Sequence, residues 1–133
     1  MTIRRFEDLT CWQKARNLVG ATYEAVRADV NFQRDLRLAG QITGAAVSIM
    51  NNIAEGWASQ SNREFIRFLT YSRRSASELQ NCLYVALDQE YVLKNAFDEL
   101  YDQAQQTIKV IDGLLRYLRH HETTKKQKAK KTR

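Results

Sequence analysis

Apolar residues recur at spacings of three and four along most of the chain, and four such stretches can be read. The first runs from about Asp8 to Arg27, with Trp12, Ala15, Val19, Thr22 and Val26 on one face. Asp8 stands where its carboxylate can accept the free amide hydrogens of the first turn. Residues 28–33, with Asp29 and Asn31, read as a connection. The second stretch, about Arg34 to Trp57, carries Leu38, Ile42, Ala45, Ile49 and Ile53 on one stripe. Beside it, Gly40, Gly44 and Ser48 place a small residue at every fourth position. Each glycine inside a helix costs about 1 kcal/mol relative to Ala, so close packing there, within the chain or against a neighbour, is the expected compensation. The third stretch starts at a capping box, Ser61-Asn62-Arg63-Glu64, with Ser61 as the cap and Glu64 reaching back. Phe65, Phe68, Ser72, Ser75, Leu79, Cys82 and Ala86 then follow a seven-residue repeat, widened by Leu69, Ala76 and Leu83. Residues 88–94 interrupt the pattern. Asn95 is placed to cap the fourth stretch, where Phe97, Tyr101, Ala104, Ile108, Ile111, Leu115 and Leu118 repeat up to about Arg119.

Four amphipathic helices of about 20–27 residues with short links predict an all-α fold, an antiparallel up-down-up-down four-helix bundle. The bundle is assigned to residues 1–121. After His121 the apolar period stops, and residues 122–133 are predicted to be a disordered basic tail with nothing to bury.

Composition supports the helical reading. The 133 residues suffice for one domain, 44% are hydrophobic, and there is no proline and only 5 glycines. Folds made of many tight turns need more of both. Net charge is +6, yet six of the basic residues and one acid lie between Glu122 and Arg133, so residues 1–121 are close to neutral. The location of the charge therefore says more about partners than its sum. The N-terminus lacks the apolar core of a secretory signal, and no stretch approaches the roughly 18 apolar residues of a membrane span. Cys11 and Cys82 form no paired motif. These features lead to the expectation of a cytoplasmic protein with no membrane partner.

Three groups of residues are candidates for chemistry. Arg63, Arg67 and Arg74 fall within about 40° of one another, opposite the apolar seam of the third helix. With neighbouring Arg73 they read as a phosphate-binding strip, or as a solvated or interfacial face helped by Glu64 and Glu78. Lys125, Lys126, Lys128, Lys130, Lys131 and Arg133 form a polyelectrolyte that attracts phosphate backbones by counterion release, or only solubilises the chain. Asn52, Glu55 and Gly56 close the second helix. A lone carboxylate without a nucleophile or a second acid is a poor active site. The preferred reading is structural, with Asn52 and Glu55 tying down the helix end and Gly56 supplying a positive φ. His120-His121 lack the i, i+4 partner of a helical metal site, and no phosphate loop is present. No cofactor, metal or enzymatic activity is expected.

Asn52-Ile53-Ala54-Glu55-Gly56, followed by Ser61, Arg63-Glu64-Phe65, Phe68-Leu69 and Ser75-Ala76-Ser77-Glu78-Leu79, resembles the four-helix-bundle family encoded by intervening sequences of bacterial large-subunit (23S) ribosomal RNA genes. Phe6-Glu7-Asp8-Leu9, Trp12-Gln13-Lys14-Ala15, and Gln41-Ile42 with Ala45-Ala46 and Ser48-Ile49 are similar to that family too, and the likeness spans roughly residues 6–119. The resemblance implies a homopentamer of bundles around a central channel. It also implies kinship with the accessory protein of diversity-generating retroelements, which binds nucleic acid and a reverse transcriptase. The chain departs from the pattern at Thr43-Gly44, where members often carry a basic residue, and at Arg74, where they often carry Gly. The expected function is thus a non-enzymatic oligomeric protein that engages RNA or DNA, or a ribonucleoprotein partner, through basic surface and tail. The alternative is a structural scaffold or protein–protein interaction module with no nucleic-acid role.

Overall fold

A computed structural model describes the backbone of residues 2–131 and the side chains of residues 2–122. Among the described residues there are five α-helices, four of them long, and no strand. The elements are a 3-10 turn at Phe6–Asp8, α1 (Thr10–Arg27), α2 (Val30–Arg34), α3 (Leu36–Ala58), α4 (Asn62–Asp88) and α5 (Lys94–Lys131).

The four long helices form a ring of neighbours, α1 against α3 and α5, and α4 against α3 and α5. Cross-helix bonds give their directions. Ser48 and Ser75 share a hydrogen bond of 2.9 Å, Ser72 Oγ donates to the Ile49 carbonyl at 2.8 Å, and Gly56 lies against Phe65. Residue numbers rise along α3 as they fall along α4, so the pair is antiparallel. Arg73 to Asp112 and Gln80 to Gln105 establish the same for α4 and α5. The core between them holds the expected stripe of α3 (Leu38, Ile42, Ala45, Ile49, Ile53) and most of the seam of α4. Fully buried Thr22 and Thr107 donate back to the Leu18 and Gln103 carbonyls, which removes the cost of placing a hydroxyl in an apolar interior. No buried side-chain nitrogen or oxygen lacks a partner among the described residues.

Several boundaries differ from the sequence-based expectation, each for a local reason. Asp8 does not cap α1; its carboxylate accepts from the Arg4 and Arg5 amides upstream (3.0 and 3.3 Å), closing the 3-10 turn, and Leu9 precedes the helix without a side-chain cap. On α1, Cys11 and Leu18 are buried with Ala15 and Thr22, whereas Trp12, Val19 and Val26 are only half-buried. Residues 28–33 are more than a connection. Asp29 caps α2 through the Phe32 amide (2.9 Å), and Asp35 caps α3 through the Leu38 amide (3.0 Å), so α3 starts at Leu36 rather than Arg34. Ser61 caps α4 by accepting from the Glu64 amide (3.3 Å), but the Glu64 carboxylate turns outward to Arg67 instead of back to the cap. On α5, which begins at Lys94, Leu100 occupies the core beside Phe97 while Tyr101 is half-buried. Its backbone stays helical to Lys131, past Arg119, where the predicted helix ends, and into residues 122–133, for which a disordered tail is expected. No glycine or proline lies between Leu114 and Lys131, and Lys, Gln and Ala are good helix formers, so nothing in the backbone stops the helix where the apolar face ends.

A candidate nucleic-acid interface on α4

The inward seam of α4 dictates what its opposite face presents. Phe65, Leu69, Ser72, Ala76, Leu79 and Leu83 are buried, and positions half a turn away cannot reach the core. Arg63, Arg67 and Arg74 are all exposed, as their spacing requires. Between them stands Tyr71, 37% exposed. The Arg67 guanidinium carbon lies 5.7 Å from the Tyr71 ring centroid and 5.2 Å from that of Phe68; Arg74 approaches Tyr71 at 5.9 Å. Phe68 meets Tyr71 edge-on, at 6.2 Å and 88°.

The charge on this face is only lightly compensated. Arg67 Nε and Nη2 donate to one oxygen of Glu64 at 3.1 and 2.9 Å. That bond raises the Arg67 pKa above its ordinary high range. Both side chains of the pair stay well exposed, where water and salt screen the attraction and the pair contributes little. Arg63 and Arg74 make no ion pair with an acid among the described residues. Arg73 departs from the strip: its Nε donates to Asp112 at 2.7 Å, clamping α4 to α5. Tyr71 was missed by sequence reasoning, although its place four residues after Arg67 and three before Arg74 was a readable signal.

The second candidate group resolves into packing. The Asn52 side-chain amide donates one turn back, to the Ser48 carbonyl (2.8 Å) and hydroxyl (3.1 Å), joining the Ser48–Ser75 seam rather than the helix end. Glu55 is exposed and makes no side-chain hydrogen bond or ion pair among the described residues. Gly56 is not a positive-φ residue; it lies inside α3, and Gln60 takes the left-handed conformation at φ 55. Gly56 is needed for space instead. A Cβ there would lie 2.8 Å from Phe65 Cδ1 and 2.9 Å from Phe68 Cβ.

The third group lies largely outside the described residues. The backbone of Lys125, Lys126, Lys128, Lys130 and Lys131 belongs to α5, but their side chains and the whole of Arg133 are beyond what is described. Just before them, Tyr117 stacks on His121 at 6.0 Å and 22°.

Among the described residues no group of three or more His, Cys, Asp and Glu side chains is placed to hold a metal ion. Burial pushes the Cys11 thiol up to about 11, and burial also raises Cys82, so neither is an activated nucleophile. Shallow depressions of about 360, 310 and 250 Å³ mark the surface, and Glu55 lines none of the three. Of the two expected ways to compensate Gly40 and Gly44, packing within the chain is not the one used: a Cβ at either would meet nothing within 4 Å inside this chain. Their cost to the helix is not offset by internal packing.

The molecule is thus an all-α bundle with a cationic, partly aromatic outer face on its third long helix. Residues 7–113 match the family described as 23S rRNA-intervening sequence protein, and the chain belongs to that family. A crystal structure of a protein with unknown function from the S23 ribosomal protein family of Bacteroides thetaiotaomicron shares the fold, with a TM-score of 0.72 at 21% identity over 80% of this chain and 98% of that one. No curated protein matches the sequence.

Proposed function

We propose that the protein is a non-enzymatic, oligomeric binding protein that engages RNA or DNA, alone or within a ribonucleoprotein, through its basic surface. One observation carries this reading: Arg63 and Arg74 stand exposed on α4 without an acid partner among the described residues, and Arg67 is held only by an exposed neighbour. Guanidinium groups so placed match phosphate oxygens, and each contact releases a counterion. The basic residues from Lys125 to Arg133 add sequence-independent attraction. Titrating a labelled oligonucleotide at rising salt tests the reading. Replacing Lys125, Lys126, Lys128, Lys130 and Lys131 by Gln in the full chain is expected to weaken binding and to flatten its salt dependence. Absence of binding by the native chain even at low salt contradicts it.

The oligomer is proposed to be a homopentameric ring, as the family resemblance implies. The uncovered faces of Gly40 and Gly44 support self-association, because close approach of a neighbouring copy gives these glycines a role that internal packing does not. Five linked copies bind with an avidity that single weak contacts lack. Light scattering is expected to report about five times the 15.5 kDa chain mass; a mass of one chain overturns the assembly.

A scaffold role without nucleic acid is the second reading. It is favoured by Leu36 and Leu93, which are 80% and 76% exposed at the same end of the bundle, near the Tyr91–Asp35 hydrogen bond. Apolar side chains so exposed suit contact with another protein.

A further inference from the structure

The basic face of α4 carries an aromatic ring that the bundle does not consume. Tyr71 leaves 37% of its surface exposed, and its ring is flanked by Arg67, one turn before it, and Arg74, one turn after. We propose that Tyr71 is a stacking platform for an unpaired nucleobase, which makes this face a binder of single strands in preference to duplex. The proposal rests on the nucleic-acid reading above and adds a residue and a substrate class to it.

Three features support it. The first is rigidity. Tyr71 sits near the middle of a 27-residue helix, and Ser72 and Ser75 on the same turns bond to α3 at 2.8 and 2.9 Å. Phe68 meets the ring edge-on. A tyrosine has only two side-chain torsions to fix, so little freedom is lost when a base settles on it.

The second feature is the balance of competing contacts. A solvent-exposed cation–π contact strengthens an association about two- to five-fold. Stacking a base on an aromatic ring contributes about 5- to 150-fold. A base therefore displaces a guanidinium from the ring, and the freed fork lies within reach of the phosphates on either side of that nucleotide.

The third is topology. In a duplex both faces of every internal base are already covered, and a ring fixed on a helix surface cannot insert without unstacking the pair. A single strand offers its π-faces at no such cost. The arrangement of two guanidiniums around one aromatic thus fits a base with its flanking phosphates, whereas a plain phosphate track has no use for the ring.

The test uses the full-length protein, fluorescence anisotropy, and a short labelled RNA given either as an unstructured single strand or as its duplex. Tyr71→Leu is expected to weaken single-strand binding about 5- to 150-fold, while Tyr71→Phe stays within about three-fold of the native chain. The slope of log affinity against log salt is expected to be the same for all three, since no charge has been removed. Duplex binding is expected to be unchanged by Tyr71→Leu. Equal single-strand binding by Tyr71→Leu, or an equal loss for duplex, overturns the stacking role while leaving the basic interface intact. Failure of the native chain to bind either form removes both. Photocrosslinking of the native protein to a 4-thiouridine strand needs no variant: the adduct is expected on Tyr71 or its immediate neighbours, and adducts confined to other helices overturn the assignment.

Discussion

Phe32→Ala is expected to lower the stability of the fold by about 3–5 kcal/mol, as deletion of a large buried ring does. Phe32 is fully buried on the short helix α2 and stacks on Tyr91 at 5.2 Å and 24°. Tyr91 in turn donates its hydroxyl to Asp35 at 3.0 Å, while the other oxygen of that carboxylate accepts the Leu38 amide. The bond to Asp35 raises the Tyr91 pKa, because losing the proton would set two anions side by side. One ring thus supports the start of α3 and the link from α4 to α5 together. Urea unfolding measures the effect: the midpoint is expected to fall with little change in slope. Leu36→Ala, four residues on but in water, is expected to stay within about 0.5 kcal/mol. A Phe32→Ala loss below about 1 kcal/mol would mean that this end of the bundle does not depend on the ring.

Gly56→Val is the second large effect, expected to cost about 1–3 kcal/mol or more by overpacking. The nearest obstacles to a Cβ are Phe65 Cδ1 at 2.8 Å and Phe68 Cβ at 2.9 Å. The Phe65 ring can turn, but Phe68 Cβ moves only with its backbone, so α3 and α4 must separate near their link. Helix propensity acts in the opposite direction by less than about 0.5 kcal/mol, which is too little to compensate. Gly44→Ala is the internal comparison. With nothing within 4 Å inside the chain, it is expected to raise the stability of the chain by up to about 1 kcal/mol when measured at a dilution that separates the copies. Thermal melts separate the two, since 1 kcal/mol moves the midpoint of a domain this size by roughly 3–5 °C. Equal tolerance of both substitutions contradicts the assigned close approach.

The long helices were legible because their apolar stripes follow from one period, and no tertiary information is needed to see that Leu38, Ile42, Ala45, Ile49 and Ile53 share a face. Ser61 was legible because a cap acts within one turn. The failures share a different cause. Asp8 and Asp29 are equally good caps by type, and which amides each accepts depends on whether the chain before the helix closes a turn of its own. Phe32 lies in a five-residue helix too short to show a period, and its burial depends on Tyr91, 59 positions away. Gly56 looks the same in a sequence whether its backbone or its lack of a side chain is what matters; only the position of Phe68 on the neighbouring helix distinguishes them. The arginine strip of α4 was readable as a face. Its internal division was not, because Arg73 is claimed by Asp112 on α5, and that pairing depends on helix register. Tyr71 was readable in principle, lying one turn from both Arg67 and Arg74, but a charge pattern alone does not single out the ring that the two guanidiniums approach.

The exposed guanidiniums of Arg63, Arg67 and Arg74 on the outer face of α4 are proposed to meet an anionic polymer. The direct measurement is the salt dependence of binding to one short RNA by the native chain and by Arg63→Gln/Arg67→Gln/Arg74→Gln, with the melting temperature confirming that the exposed substitutions leave the fold intact. If the three guanidiniums contact phosphates, the slope of log affinity against log salt falls by about 2–3 in magnitude, near 0.7–0.9 for each lost contact. An unchanged slope and affinity in the triple variant would contradict the account.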